Sequence, residues 1–305
     1  MTGYFEIAPF FEVFFPAPAF NSYVKTKCGS VIFIMKEYVF ITGAAGGLGK
    51  AFAAECAQRG WDLFLTDISD AALSNLAGGL EAAYGINVVY KACDLTDAEQ
   101  RTGLYDLLGE SGVKFWGLIN VAGLDFEGPF IERTRDQIRT ILRLNIEATL
   151  DVTHEIFKLR TCGRPFRVIT VSSLAAFYPM PVKAMYAASK RFLLDFFLAL
   201  REEIRPFGGT VTILCPAGMP TNEACIKAID AQGFAGRATA KNTGFVAAHT
   251  IDCALKGRAT YIPGRLNHML RLAGSLVPPR VIAGMVGRRW GAVRHKSAGT
   301  AAVQA

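Results

Sequence analysis

No two of the seven cysteines stand at CxxC spacing, and their number is odd. A disulfide framework or a cysteine-based zinc site has no support, no metal is expected, and scattered free thiols fit a reducing, cytoplasmic setting. Also missing from residues 1–34 is an uncharged apolar run of about 18 residues, so no spanning helix is expected there. Glu6 and Glu12 precede any Lys or Arg, so the chain does not open with the basic start of a secretory leader. After Asp252 acidic residues cease, while nine basic ones follow: Lys256, Arg258, Arg265, Arg271, Arg280, Arg288, Arg289, Arg294 and Lys296. Of the formal net charge of +7 they leave about −2 for everything upstream. The basic balance is a property of the tail, which argues against a nucleic-acid binder. No repeat or low-complexity linker divides the chain.

What is present is a globular composition, 51% hydrophobic and 19% charged over 305 residues, enough for one large α/β domain. Residues 1–34 stand apart: Phe5, Phe10, Phe11, Phe14, Phe15 and Phe20 are interleaved with Pro9, Pro16 and Pro18, which prevent a continuous helix. They read as an upstream extension, poorly ordered, with Met35 as the natural start just before the first strand. From Tyr38 strands and helices alternate. Strands are expected at Tyr38–Thr42, Asp62–Thr66, Asn87–Ala92, Trp116–Val121, Arg167–Val171, Val211–Cys215 and Thr260–Ile262, with helices at Leu48–Arg59, Asp136–Leu159 and Tyr186–Ile204. That alternation implies a doubly wound parallel sheet, Rossmann-like, occupying residues 35–264 as a single domain with a basic amphipathic tail over 265–305.

Between the first strand and first helix lies Thr42-Gly43-Ala44-Ala45-Gly46-Gly47-Leu48-Gly49. Gly43 permits a tight turn, Gly47 allows backbone to approach a pyrophosphate, and Gly49 allows the helix to pack closely on the sheet. Asp67, 24 residues beyond Gly43 at the end of the second strand, suits ribose hydroxyls and repels a 2′-phosphate, favouring NAD over NADP. Tyr186 and Lys190 are four apart and share a helix face. An ammonium there lowers the phenol pKa from its ordinary value near 10, which brings proton transfer within reach. Ser173, thirteen residues before Tyr186, ends a strand from which its hydroxyl reaches a substrate oxygen. An isolated Tyr–Lys pair is more often plain packing; here it has company.

With these residues in place the chain resembles the short-chain dehydrogenase/reductase family, in its TGxxxGxG subgroup, over about Tyr38 to Ile262. The resemblance implies a cofactor site made of Thr42, Gly43, Gly47, Leu48, Gly49, Asp67, Asp94, Leu95, Asn120, Ala122, Gly123, Tyr186, Lys190, Pro216 and Thr221. Asp94 corresponds to an aspartate that contacts the adenine, and Thr221 to a threonine that touches the nicotinamide carboxamide. Val121 and Ala217 depart from the family's Asn-Asn-Ala-Gly and Pro-Gly patterns. The implied catalytic set is Asn145, Ser173, Tyr186 and Lys190. Tyr186 exchanges a proton, Ser173 holds the oxygen, Lys190 tunes Tyr186 and binds the ribose, and Asn145 fixes a water joining Lys190 to solvent. Hydride then passes between NAD and a secondary alcohol or ketone. A homodimer or homotetramer is also implied.

Leu174, Phe177, Tyr178, Met180 and Met185, facing Ile226, Ile229 and Phe234, favour a lipophilic substrate, steroid- or acyl-like, or are ordinary lid packing. The rival readings are an NADPH-dependent carbonyl or 3-oxoacyl reductase and a non-catalytic NAD-binding sensor or scaffold. The tail, from Arg265 to Arg289, reads as two amphipathic helices split by Pro278-Pro279. Three roles are open for it: an anionic membrane surface, the active-site mouth or a partner subunit.

Overall fold

The computed structural model describes residues 23–25, 31–33, 37–221, 225–227, 230 and 238–288. Within the expected extension it gives one short antiparallel pair, β1 (Tyr23–Lys25) with β2 (Val31–Phe33). The six phenylalanines and three prolines named above lie outside the described residues, as do Ile229, Phe234 and the tail after 288.

The main sheet begins at β3 (Glu37–Thr42) and continues through β4 (Asp62–Asp67), β5 (Val88–Ala92), β6 (Lys114–Asn120), β7 (Phe166–Val171), β8 (Gly209–Leu214) and β9 (Thr260–Tyr261). All seven are parallel, in the order β5-β4-β3-β6-β7-β8-β9. Period-two alternation lets β3 serve two cores at once. Tyr38 and Phe40 enter one apolar cluster, with Phe64 and Phe115, while Val39 and Ile41 enter the other. Helices α1 (Gly47–Gln58) and α2 (Asp70–Tyr84) cover the second cluster, together with α7 (Thr243–Leu255). On the first lie α3 (Ala98–Ser111), α5 (Thr149–Lys158) and α6 (Ala184–Ile204). Helices on both faces explain why the strands read as nearly continuous apolar runs. The doubly wound architecture is as expected, with strand ends differing from the sequence reading by one or two residues.

One expectation needs correcting. Asp136–Leu159 is not one regular helix: α4 (Arg135–Leu142) passes into a π turn over Arg143–Ala148 before α5 begins. Apolar residues alternate through the turn at Leu144, Ile146 and Ala148 while the polar Asn145 is buried, so helical periodicity does not reveal the extra residue.

Beyond β9 two further helices follow, α8 (Arg265–Ser275) and α9 (279–288). They fold back over the 174–183 loop. Gly274 lies so close to the Tyr178 ring that a Cβ there would overlap it, Gly287 sits against Pro181, and the Arg271 guanidinium stands 5.0 Å from the Phe177 ring centroid.

Candidate active site

Strand order reverses between β3 and β6, which in an open α/β sheet is where a ligand crevice forms at the carboxyl ends of the strands. The loops leaving both strands meet there. Gly43 takes φ +62°, and a Cβ on it would press the Ala122 backbone at 2.8–2.9 Å. Thr42, buried, accepts hydrogen bonds at Oγ1 from the Val121 and Ala122 amides at 3.1 and 3.2 Å. Its side chain therefore ties the two loops together, which leaves only its backbone to face a ligand. The other two glycines are also held to glycine by neighbouring backbone. Gly49 is required because a side chain would strike the Gly43 carbonyl inside the turn, and Gly47 because the Thr221 backbone lies directly on it.

Helix α1 starts at this turn with no side-chain cap and no acidic residue in its first turn. Its free amides and the positive end of its dipole are thus available to an anion. By contrast α2, α3, α4 and α7 are capped by Ser69, Asp97, Thr134 and Asn242. Asp67, at the end of β4, accepts from the Ala45 amide at 3.0 Å and from the Ile68 amide at 2.8 Å, which fixes its carboxylate beside the glycine turn. The residues present fit a nicotinamide dinucleotide: bare amides for the pyrophosphate, a fixed carboxylate for the ribose.

The remaining expected contacts divide. Asp94 accepts from the amide and hydroxyl of Thr96, at 2.9 and 2.8 Å. Leu48 and Leu95 are buried, so only backbone could serve a ligand there. The Leu95 carbonyl is already taken by Arg101, a buried guanidinium that also pairs with Asp151 and Glu147 at 2.7 and 2.5 Å. Asn120 points inward and donates to Thr153 Oγ1 at 2.9 Å, supporting α5. The Pro216 carbonyl accepts from the Leu174 amide at 2.8 Å, and Thr221 Oγ1 is turned to Cys225 Sγ at 3.2 Å.

The four expected catalytic residues come together. Ser173 follows β7, and the Tyr186 hydroxyl, on the first turn of the half-buried α6, is hydrogen-bonded to it. Lys190 is 4% exposed, and its Nζ donates to the Val171 carbonyl at 2.8 Å, 5.8 Å from the Tyr186 ring centroid. Asn145, in the π turn, is fully buried. It accepts from the Leu124 amide and donates to the Leu124 carbonyl, both at 2.9 Å, and donates to Ser189 Oγ at 3.0 Å. Gly123 faces both: a Cβ there would stand 3.2 Å from Asn145 Oδ1 and from Lys190 Nζ.

Burial dominates the electrostatics of Tyr186 and Lys190. Burial raises the Tyr186 pKa above its ordinary value; the Ser173 hydrogen bond opposes this, Asp125 adds to it and Lys183 opposes it. Burial brings Lys190 itself down to about 8, and its ammonium donates to the Val171 carbonyl.

Sequence reasoning missed the neighbours of Tyr186. Lys183 pairs with Asp125 at 2.7 Å and Glu127 at 2.9 Å, and its Nζ lies 6.0 Å from the Tyr186 ring centroid. Val182, next to it, takes φ +61°, a strained conformation for a β-branched residue. No local motif signals either, since Asp125 and Lys183 are 58 residues apart. Of the expected apolar wall, Leu174 and Phe177 pack against the core, Tyr178 is covered by α8, and Met185 lines a small cleft with Phe126, Phe130 and Val182.

Comparisons with known proteins identify the family and the fold. The short chain dehydrogenase family profile matches residues 37–227. The very-long-chain 3-oxoacyl-CoA reductase of Laccaria bicolor is 30% identical over 57% of this chain and 52% of its own. Human 17-beta-hydroxysteroid dehydrogenase type 3 is 28% identical over 66% of this chain and 64% of its own. The chain thus spans about half the length of the acyl-CoA reductases it matches. Among solved structures, a short-chain dehydrogenase from Sphingobium yanoikuyae in complex with NADPH superposes with TM-score 0.66 at 23% identity, over 87% of this chain and 95% of its own. One from Burkholderia phymatum in complex with NAD does so with TM-score 0.66 at 24% identity, over 79% and 92%. The chain belongs to the short-chain dehydrogenase family.

Proposed function

We propose that this protein is an oxidoreductase that moves a hydride between NAD(H) and a lipophilic secondary alcohol or ketone, with Tyr186 as its acid and base. The observation that carries this reading is the convergence of Tyr186, Ser173 and Lys190 beside a glycine turn whose helix end is bare. When bound, the nicotinamide supplies or accepts the hydride at the substrate carbon. Ser173 holds the substrate oxygen by a hydrogen bond, and Tyr186 Oη gives that oxygen a proton during reduction or takes it during oxidation. The raised phenol pKa keeps the proton on Tyr186 at neutral pH, ready for donation to a carbonyl. Lys190 and Asn145 sit behind the tyrosine, where they position it and hold the Leu124 loop against α6. The fixed Asp67 carboxylate supports NAD over NADP, since a 2′-phosphate would meet a negative charge there.

A second reading, reduction of a long-chain 3-oxoacyl thioester with NADPH, is supported by the names of the acyl-CoA reductases and by the NADPH complex of the Sphingobium relative. A panel of long-chain 3-oxoacyl thioesters, 17-oxosteroids and their alcohols, assayed with both nicotinamides, separates the two. In either case Tyr186→Phe should lower kcat by about 10²–10⁴-fold with dinucleotide affinity little changed. Turnover that survives the substitution refutes the tyrosine mechanism.

A further inference from the structure

Helix α8 is turned the wrong way round for a globular protein. Asn267, Arg271 and Gly274 recur at i, i+4 and i+7 on the side turned to the protein, where Asn267 is buried, Gly274 half-buried and Arg271 exposed. Asn267 is buried and donates to the carbonyls of Pro263 and Thr239 at 2.6 and 3.1 Å; Arg271 lies over Phe177, and Gly274 against Tyr178. The opposite face carries Leu266, Met269, Leu272 and Leu276, exposed by 43%, 68%, 66% and 82%. An ordinary surface helix buries its apolar stripe and presents its polar one. Helix α9 repeats the arrangement: Gly287 meets Pro181, while Val281, Met285 and Arg288 face solvent at i, i+4 and i+7.

The charges beside this apolar surface are of one sign. Arg265, Arg280 and Arg288 are exposed there, and no Asp or Glu follows Asp252 anywhere in the chain. A two-fold dimer would place this patch against its own copy, arginine facing arginine, so the charge pattern disfavours self-association. It is complementary to an anionic lipid surface, on which apolar side chains enter the acyl boundary and arginines meet headgroups. Among the described residues no helix is long and apolar enough to cross a membrane, so contact would be peripheral.

We infer that the outward face of α8 and α9 docks this protein on an anionic phospholipid bilayer. Docking places the 174–183 loop, which packs on the inner side of the same helices, about 10 Å from the lipid, the width of one helix. This inference does not depend on the identity of the substrate or of the cofactor.

The test uses the full chain in vesicle flotation, with phosphatidylcholine alone and with phosphatidylcholine containing phosphatidylserine. The wild type should float with the anionic vesicles, and less so as salt is raised. Leu272→Glu with Leu276→Glu should lower partitioning by at least about tenfold. Arg265→Gln with Arg280→Gln should lower it roughly fivefold per arginine on anionic vesicles, and not on neutral ones. Thermal unfolding of both variants should match the wild type, because these side chains support nothing beneath them. Failure of the wild type to float, or equal flotation of the leucine variant, overturns the inference. So does a concentration-dependent dimer in light scattering that the leucine variant dissociates, since the face would then belong to a second copy.

Discussion

Burial acts against the charged form of both Tyr186 and Lys190. Lys190 shows the sign. Its pKa falls from 10.5 to about 8, so the folded state holds fewer protons than the unfolded state between those values. The penalty of burying the ammonium is complete below about pH 8 and is relieved as pH rises toward 10.5. Its size is on the order of 3 kcal/mol. Lys190→Met removes that penalty together with the hydrogen bond to Val171. Urea unfolding at pH 7 and pH 10 should show the wild type gaining on the variant by about 2–3 kcal/mol at the higher pH; a gap that does not move with pH would contradict the assignment. Asp67 is the second residue whose role is decided by its partners. With its carboxylate gone, Asp67→Ala should raise the NADP-to-NAD ratio of kcat/KM by at least about tenfold. Steady-state kinetics with both dinucleotides check it, and an unchanged ratio would place the discrimination elsewhere.

At the scale of elements, two features direct side chains that the sequence pattern leaves undirected. The π turn at Arg143–Ala148 carries Asn145, whose amide is fully engaged by the Leu124 backbone and Ser189. Such single π turns inside α-helices recur at functional sites because they re-aim a side chain without ending the helix. The other is α8, which covers Tyr178 through the gap left by Gly274. Gly274→Val puts a branched side chain where the ring lies, and should lower stability by about 1–3 kcal/mol, a few degrees in Tm. It should also raise KM more than it lowers kcat, since the 174–183 loop shifts while Ser173 and Lys190 stay anchored to β7. Leu276→Glu, on the opposite face of the same helix, should leave Tm unchanged. Differential scanning calorimetry of the two variants distinguishes coupling to the loop from general damage to the tail.

For the molecule as a whole, local pattern was enough to read the layered architecture. The Thr42–Gly49 turn, strands of one apolar character and intervening helices each bury what their neighbours expose, so composition and order already imply a doubly wound sheet. Tyr186 and Lys190 share a face of α6 by local spacing, whereas Ser173, beyond the end of β7, meets them only across the 174–183 loop. Other features need partners distant in sequence. Gly47 is a glycine because of Thr221, Thr42 is a buried tie to Val121 and Ala122, and Lys183 is paired with Asp125 and Glu127. The tail was legible as two basic amphipathic helices, but not which face would turn inward. Periodicity gives the angle between an apolar stripe and a polar one; it does not say which of them meets the protein. Sequence alone therefore determined the fold and the chemical groups at its centre. Tertiary structure decided the protonation balance of Tyr186 and Lys190 and the outward apolar face of α8, because burial and long-range contact set both.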